Sequence, residues 1–421
     1  MRIAIKPSRI PAETLHMPTA FAYRVRDPNG AVIEGTMEAE SGAAVAVRLN
    51  AERLIPLDIR PAPANKLRRE IHLLPERVKL KDLALFSRQF ATMISAGLSL
   101  LRSLTILSEQ TDNKKLAETI KLVKGDVEQG ASLSVAMAKY PKIFNKLYIS
   151  LVKAGETGGQ LETVLLRVAE SFEKDYKLRQ KIKSAMTYPV VVFGIAIVLV
   201  TIMLIFIVPT FAKMFDDLGG ELPVPTKILV FLSRGAALFI PLTVVVAVGT
   251  FFAYKKARAR SEEFTYQSDR IKLKLPVFGE LFSKIALSRF SRTLALLLRS
   301  GVPVLQALEI TSETAGNRMV GRAALDVKNS VREGQSIAGP LKAHPVFPPM
   351  VVQMIAVGED TGEVDVMLDK IGDFYEQEVE STTESLTSLL EPVMIAILGG
   401  IIGGMVISLY LPMFKVFDLI R

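Results

Sequence analysis

Apolar residues recur three and four positions apart at Leu83, Phe86, Phe90, Met93 and Ile94, and again at Leu287, Phe290, Leu294, Leu297 and Leu298. A 3.6-residue period of this kind predicts helices with one buried face. Gly97, Gly130 and Pro141, with counterparts at Gly301, Gly334 and Pro345, mark helix ends. The pattern predicts about six antiparallel helices in residues 80–189 and six more in residues 281–392. The last helix of each set is expected to run without a break from the Gly155 or Gly358 region into a membrane span. Neither stretch shows the two-residue alternation of a strand.

Each helical stretch gives way to an uncharged apolar run, Val190–Val208 in the first case and Val393–Leu411 in the second, and a third run covers Ala236–Ala253. At 1.5 Å per residue a 19-residue helix reaches about 28 Å, close to a hydrocarbon core of about 30 Å. All three are predicted to span a membrane. Pro189 and Pro392 stand at the entries to the first and third spans, and Pro241 inside the second is tolerable where neighbouring helices satisfy the freed carbonyl.

A shift of 204 residues lays Phe86–Gly97 (FSRQFATMISAG) on Phe290–Gly301 (FSRTLALLLRSG), and VEQGAS at 127–132 on VREGQS at 331–336. With the shift reduced to 203, GETGGQL at 155–161 falls on GEDTGEV at 358–364, and Pro189 on Pro392. The unit is a helical domain followed by a span, copied in parallel. Two parallel copies both enter the membrane from one side, so one further span must return the chain between them. Charge agrees with that topology. Lys174, Lys177, Arg179, Lys181 and Lys183 precede span one, and Lys255, Lys256, Arg258 and Arg260 follow span two. The positive-inside rule puts both helical domains in the cytoplasm, with the loop 209–228 and the tail 412–421 outside.

Residues 21–60 differ. FAYRVR and AVIEGTME flank Asp27-Pro28-Asn29-Gly30, a turn sequence suited to a hairpin. Ser41 is placed to cap a short helix, and Ile55–Ile59 reads as a third strand, giving a small ββαβ module. Residues 1–20 read as a flexible N-terminus without the apolar core of a signal peptide, and the proline-rich residues 61–79 as a linker. The fold class expected is an all-α polytopic membrane protein: two repeated cytoplasmic helical bundles, three transmembrane helices and the N-terminal module.

Composition removes most enzymatic chemistry. The 421 residues include no Cys and three His, and no G-x-x-x-x-G-K-[ST], H-E-x-x-H or G-x-S-x-G motif occurs. No catalytic residue, cofactor site or metal site is predicted. The excess of 52 Lys+Arg over 43 Asp+Glu sits at membrane edges, where it anchors topology; no nucleic-acid partner is expected. The span cores hold no charged group, which argues against a permease. Gly399, Gly400, Gly403 and Gly404 form two overlapping G-x-x-x-G pairs in span three, read as a helix-packing surface or a membrane hinge. The paired Gly155-Glu156 and Gly358-Glu359 turns, closed by Gly159 and Gly362, have two readings. Either the glutamate caps the next helix, or it holds a cation or a basic partner.

The duplicated F-S-R element, the paired G-E-x-x-G turns, A-M-T-Y-P-V at the first span, L-P-V-P-T after the loop and the closing I-S-L-Y-L-P-M-F together resemble the type II secretion F family. The ending and K-D-L-A-L-F-S-R-Q-F are closer to its type IV pilus branch of inner-membrane platform proteins. The resemblance covers nearly the whole chain. It implies a scaffold, not an enzyme, in the bacterial inner membrane that couples a cytoplasmic hexameric ATPase to the movement of pilins into or out of a filament. Inner-membrane alignment proteins and further copies of the chain are the other implied partners. The secretion F protein, with pseudopilins in place of pilins, is the alternative, and a membrane signalling scaffold a distant one. Some relatives are expected to bind calcium near the first turn, where Arg102 stands in place of an acidic residue in this chain.

Overall fold

The computed structural model describes residues 19–26, 32–39, 41–51, 54–61, 77–217 and 222–419. The N-terminal segment before Thr19, the Asp27–Gly30 turn and most of the linker lie outside the described residues. Two units are distinguished, one ending at Glu76 and one beginning at Arg77.

In the first unit, strands β1 (Thr19–Arg26), β2 (Val32–Ala39) and β3 (Ile55–Pro61) form an antiparallel sheet in the order β2-β1-β3, and helix α1 (Gly42–Ala51) lies between β2 and β3 in sequence. Residues two apart share a strand face. Phe21, Tyr23 and Val25 accordingly pack with Val45 and Leu49 of α1 and Ile59 of β3.

The second unit opens with α2 (Leu80–Ser95), α3 (Leu100–Gln110), α4 (Lys114–Glu128), α5 (Leu133–Ala138), α6 (Lys146–Thr157) and α7 (Leu161–Ile202). Side chains at the starts of four of these accept backbone N–H groups that have no partner within the helix. They are Ser99, Asn113, Ser132 and Asn145, the last accepting from Tyr148 N at 2.9 Å. A π-turn at Met203–Ile207 leads into α8 (Val208–Asp217). After α9 (Val224–Arg260) and α10 (Glu262–Lys274), the six-helix pattern returns as α11 (Phe278–Arg299), α12 (Val304–Thr314), α13 (Arg318–Arg332), α14 (Ala338–Leu341), α15 (Pro349–Thr361) and α16 (Val364–Leu419).

Both repeats are built on the same aromatic pair. Phe86 meets Phe144 at 6.0 Å between ring centroids, and their counterparts Phe290 and Phe347 meet at 5.0 Å. One neighbouring position has diverged. Ser87 Oγ lies 3.2 Å from the hydroxyl of Tyr148, a fully buried phenol whose pKa burial pushes up. At the corresponding places stand Ser291 and Val351, and Ser291 Oγ is buried without a hydrogen-bond partner. Removing a buried hydroxyl that has no partner leaves nothing unsatisfied, whereas removing one of a bonded pair costs about 1 kcal/mol. Ser291→Ala is therefore expected to leave the melting temperature of the detergent-solubilised protein unchanged or raise it, and Tyr148→Phe to lower it; the opposite order would contradict this assignment.

Among the described residues, three helices are long and apolar enough to cross a membrane, within Leu161–Asp217, Phe239–Arg260 and Val364–Pro412. Pro189 and Pro392 lie inside α7 and α16, which continue through them. α16 has 56 residues, about 84 Å of helix, so one rod joins a bundle to a span. The segment expected as an outside loop is helical on both sides of residues 218–221. There Val208, Ala212, Leu229, Val230, Met405 and Leu409 form a small apolar cluster between the spans. Ser233 Oγ donates to Leu204 O in the π-turn at 2.6 Å, and Thr226 Oγ1 to Ser408 O at 2.5 Å. Such hydroxyls satisfy carbonyls that lipid cannot.

At the other end of α9, Asp269 of α10 is almost wholly buried. It accepts from Arg258 at 2.8 Å, Lys272 at 3.0 Å and the backbone N–H of Arg318 at 3.1 Å, tying span two to the second repeat.

Candidate functional site

The duplicated Gly-Glu motif occupies the last turn of α6 and of α15. Gly155 is buried where α6 crosses the start of α7, and a Cβ there would sit 3.0 Å from Val164 Cβ and 3.1 Å from Leu161 Cα. A Cβ on Gly358 would sit 2.9 Å from Val364 Cα. The first glycine of each motif thus permits the close crossing of two helices. The second glycine makes the turn between them, with φ of +64° at Gly159 and +76° at Gly362, a region that a residue with a Cβ enters at a cost.

The glutamate between them points backwards along the chain. Glu156 accepts from Leu133 N at 2.5 Å, Ser134 N at 3.1 Å and Ser134 Oγ at 2.5 Å, all at the first turn of α5. Glu359 accepts from Ile337 N and from Ala338 N, the latter at 2.9 Å, at the start of α14. The carboxylate therefore caps a helix, but one lying upstream and not the helix immediately downstream. That downstream helix, α7, is preceded by Gln160 and has no side-chain cap. A negative charge at a helix N-terminus is favoured by the unpaired N–H groups and by the helix dipole. With both oxygens engaged, each glutamate clamps the short helix before it, α5 or α14, onto its own, α6 or α15. No group of three or more His, Asp or Glu is arranged to hold a metal ion among the described residues.

A second duplicated device is not apparent from local sequence. Arg88, the arginine of the first F-S-R element, makes a two-pronged pair with Glu173 of α7, Nε to Oε1 at 2.7 Å and Nη2 to Oε2 at 2.6 Å. Its counterpart Arg292 meets Glu376, the counterpart of Glu173, at 2.7 Å. Arg292 also reaches Asp369 at 3.1 Å and Asp373 at 2.8 Å, and Arg299 holds Asp365 and Asp369 at 3.3 and 3.0 Å. Asp365, Asp369 and Asp373 are four residues apart, one stripe along α16. The available signal is the repeat itself, which keeps both partners.

The two repeats meet along a seam. α7 packs on α16, and α6 on α11 and α12. Lys146 pairs with Glu313 at 2.6 Å, Lys181 with Glu380 at 2.5 Å and Asp175 with Arg289 at 3.3 Å, and Arg167 donates to Arg299 O at 2.5 Å. Burial lowers the pKa of the Arg289 guanidinium. Two cavities open on the seam, of about 310 Å³ beside Asp175 and Arg289 and about 530 Å³ between the Gly158 turn and the Gly301 turn. At Gly399, Gly400, Gly403 and Gly404 a Cβ would meet nothing within 4 Å, so no described part of this chain uses that surface for packing.

Residues 86–209 and 290–412 each match the sequence profile of Type II secretion system (T2SS), protein F, and residues 17–60 match that protein's N-terminal domain. The chain belongs to the type II secretion system protein F family. The two matches begin at Phe86 and Phe290, the first residues of the duplicated F-S-R elements. Among relatives, the Type IV pilus assembly protein PilC of Thermus thermophilus is 46% identical over 94% of this chain and 98% of its own length. The protein of the same name from Myxococcus xanthus is 42% identical over 94% of each chain. The Type II secretion system protein F of Pseudomonas aeruginosa is 34% identical over 83% of this chain and 86% of that protein.

Proposed function

We propose that this chain is the inner-membrane platform of a type IV pilus assembly machine, coupling a cytoplasmic hexameric ATPase to the insertion of pilins into the filament or their removal from it. The observation that carries this reading is the higher identity, along nearly the full length, to proteins named for pilus assembly than to the secretion protein. Physical features support it. Two soluble bundles are each continuous with a span, so a push on a bundle travels along α7 or α16 without crossing a flexible joint. We place the bundles and the N-terminus in the cytoplasm and the C-terminus outside, on the distribution of Lys and Arg around the spans. In this reading the chain acts as a homo-oligomer, carries no catalysis of its own and contacts alignment proteins within the membrane. Its Gly155-Glu156 and Gly358-Glu359 turns stiffen the corners of the bundles that meet the motor.

Affinity purification of the tagged protein in mild detergent, after light cross-linking, tests this. Recovery of a secretion-type ATPase with pilins is expected. Recovery of pseudopilins in their place would move the chain to the secretion branch, and recovery of no ATPase from cells that express one would remove the coupling role.

A further inference from the structure

Apart from the contact of α7 with its own counterpart α16, the seam between the repeats is one-sided. α6 of the first repeat packs on α11 and α12 of the second, whereas its counterpart α15 makes no comparable contact with α2 or α3, the counterparts of α11 and α12, among the described residues. Each half of the seam therefore has an unused copy: the α15/α16 corner on the second repeat and the α2/α3 corner on the first. We propose that these two corners join different copies of the chain, the α2/α3 corner of one molecule seating on the α15/α16 corner of the next.

Three observations support a second copy as the occupant. First, the seam-lining residues Leu147 and Ala154 correspond to Met350 and Val357, which are 40% and 46% exposed. On the opposite corner, seam-lining Arg289 corresponds to Leu85, an exposed leucine. Met350 and Val357, seven residues apart, lie on one face of α15, and with Leu85 they leave apolar side chains unpartnered at both corners. Second, charge matches. Residues 80–189 hold 17 Lys+Arg and 11 Asp+Glu, and residues 281–392 hold 10 and 15, so first repeat attracts second repeat. Within the chain this polarity appears as Lys146 on Glu313 and Lys181 on Glu380. At the unused corners, Arg102 stands where Gln306 lines the larger seam cavity, and Asp360 and Glu363 stand where Thr157 and Gln160 line it. A contact repeating the seam would set Arg102 against the two acids. Third, both repeats lead into spans in the same direction along the chain, so copies joined through these corners can all keep one orientation in the membrane. Contacts of this head-to-tail kind form rings where the rotation between copies closes.

This inference rests on the homo-oligomer part of the reading above and not on which machine the platform serves. The absence of cysteine makes it directly testable. Arg102→Cys on one tagged copy and Asp360→Cys on a differently tagged copy are co-expressed at full length, and membranes are treated with a short bismaleimide. A product carrying both tags is expected from the mixed pair, and little from either variant with itself. In a second pair the first cysteine is moved to Ser99; adding Arg102→Glu to that copy should abolish the product with the Asp360→Cys partner, and Glu363→Arg on the partner should restore it. Like-with-like products equal to the mixed one would mean a two-fold contact and overturn the proposal. So would the loss of every product while native gels still show an oligomer. A monomer on those gels would overturn the homo-oligomer reading as well, and neither result would touch the recovery of the ATPase.

Discussion

Arg292→Ala is expected to destabilise the second helical repeat by about 3 kcal/mol, the lower end of the roughly 3–5 kcal/mol typical for removing one member of a buried ion network. The Arg292 side chain is 13% exposed and holds three carboxylates, on Asp369, Asp373 and Glu376. Without it, four acids of α16 including Asp365 face one another with Arg299 and the more distant Lys174, 3.6 Å from Asp373, left to neutralise them. Half-exposed Asp373 is partly screened by water, which keeps the loss from reaching the upper end. The matching change in the first repeat, Arg88→Ala, removes one pair between side chains that are 35% and 28% exposed, and is expected to cost about 1 kcal/mol. Thermal unfolding of both variants in detergent checks the order. Equal losses would show that the acidic stripe of α16 adds nothing to the pair that the repeats share.

Glu156→Ala is expected to lower stability by about 2 kcal/mol and to loosen α5. It leaves the Leu133 and Ser134 N–H groups and the Ser134 hydroxyl without their acceptor, and an unsatisfied buried donor costs about 1–3 kcal/mol. Glu156→Gln keeps an acceptor at the same place and should recover part of the loss. Hydrogen exchange reads the effect locally, because faster exchange is expected at residues 133–138 while α2 and α4 keep their protection. A glutamate held for a partner and not for the fold would give the reverse, unchanged exchange with weakened partner recovery.

Much of this architecture is legible in the sequence because repetition and hydrophobic period are local signals. The F-S-R and G-E-x-x-G elements locate corresponding helices whatever their surroundings, and an uncharged run of 19 residues has few other uses. What stays hidden depends on distance between partners. Glu156 reads as a cap from its neighbours, but the helix it caps begins 23 residues upstream, and no local pattern records which way the side chain turns. Arg88 and Glu173 are 85 residues apart, and only the survival of both in the second copy marks them. The seam is harder still. Beside the corresponding pair α7 and α16 it joins non-corresponding helices, α6 with α11 and α12, and symmetry between the copies says nothing about those contacts. Span two is the exception to the duplication, and its tie to the second repeat through buried Asp269 depends on α10, a helix with no counterpart in the first repeat.

The most direct test of the central claim is an in-frame deletion of this gene in its own host, with surface filaments counted by electron microscopy. The platform reading predicts that type IV pili disappear, that they return with the unaltered gene, and that type II secretion continues. Normal filament numbers in the deletion strain, or a loss of secretion with filaments intact, would contradict it.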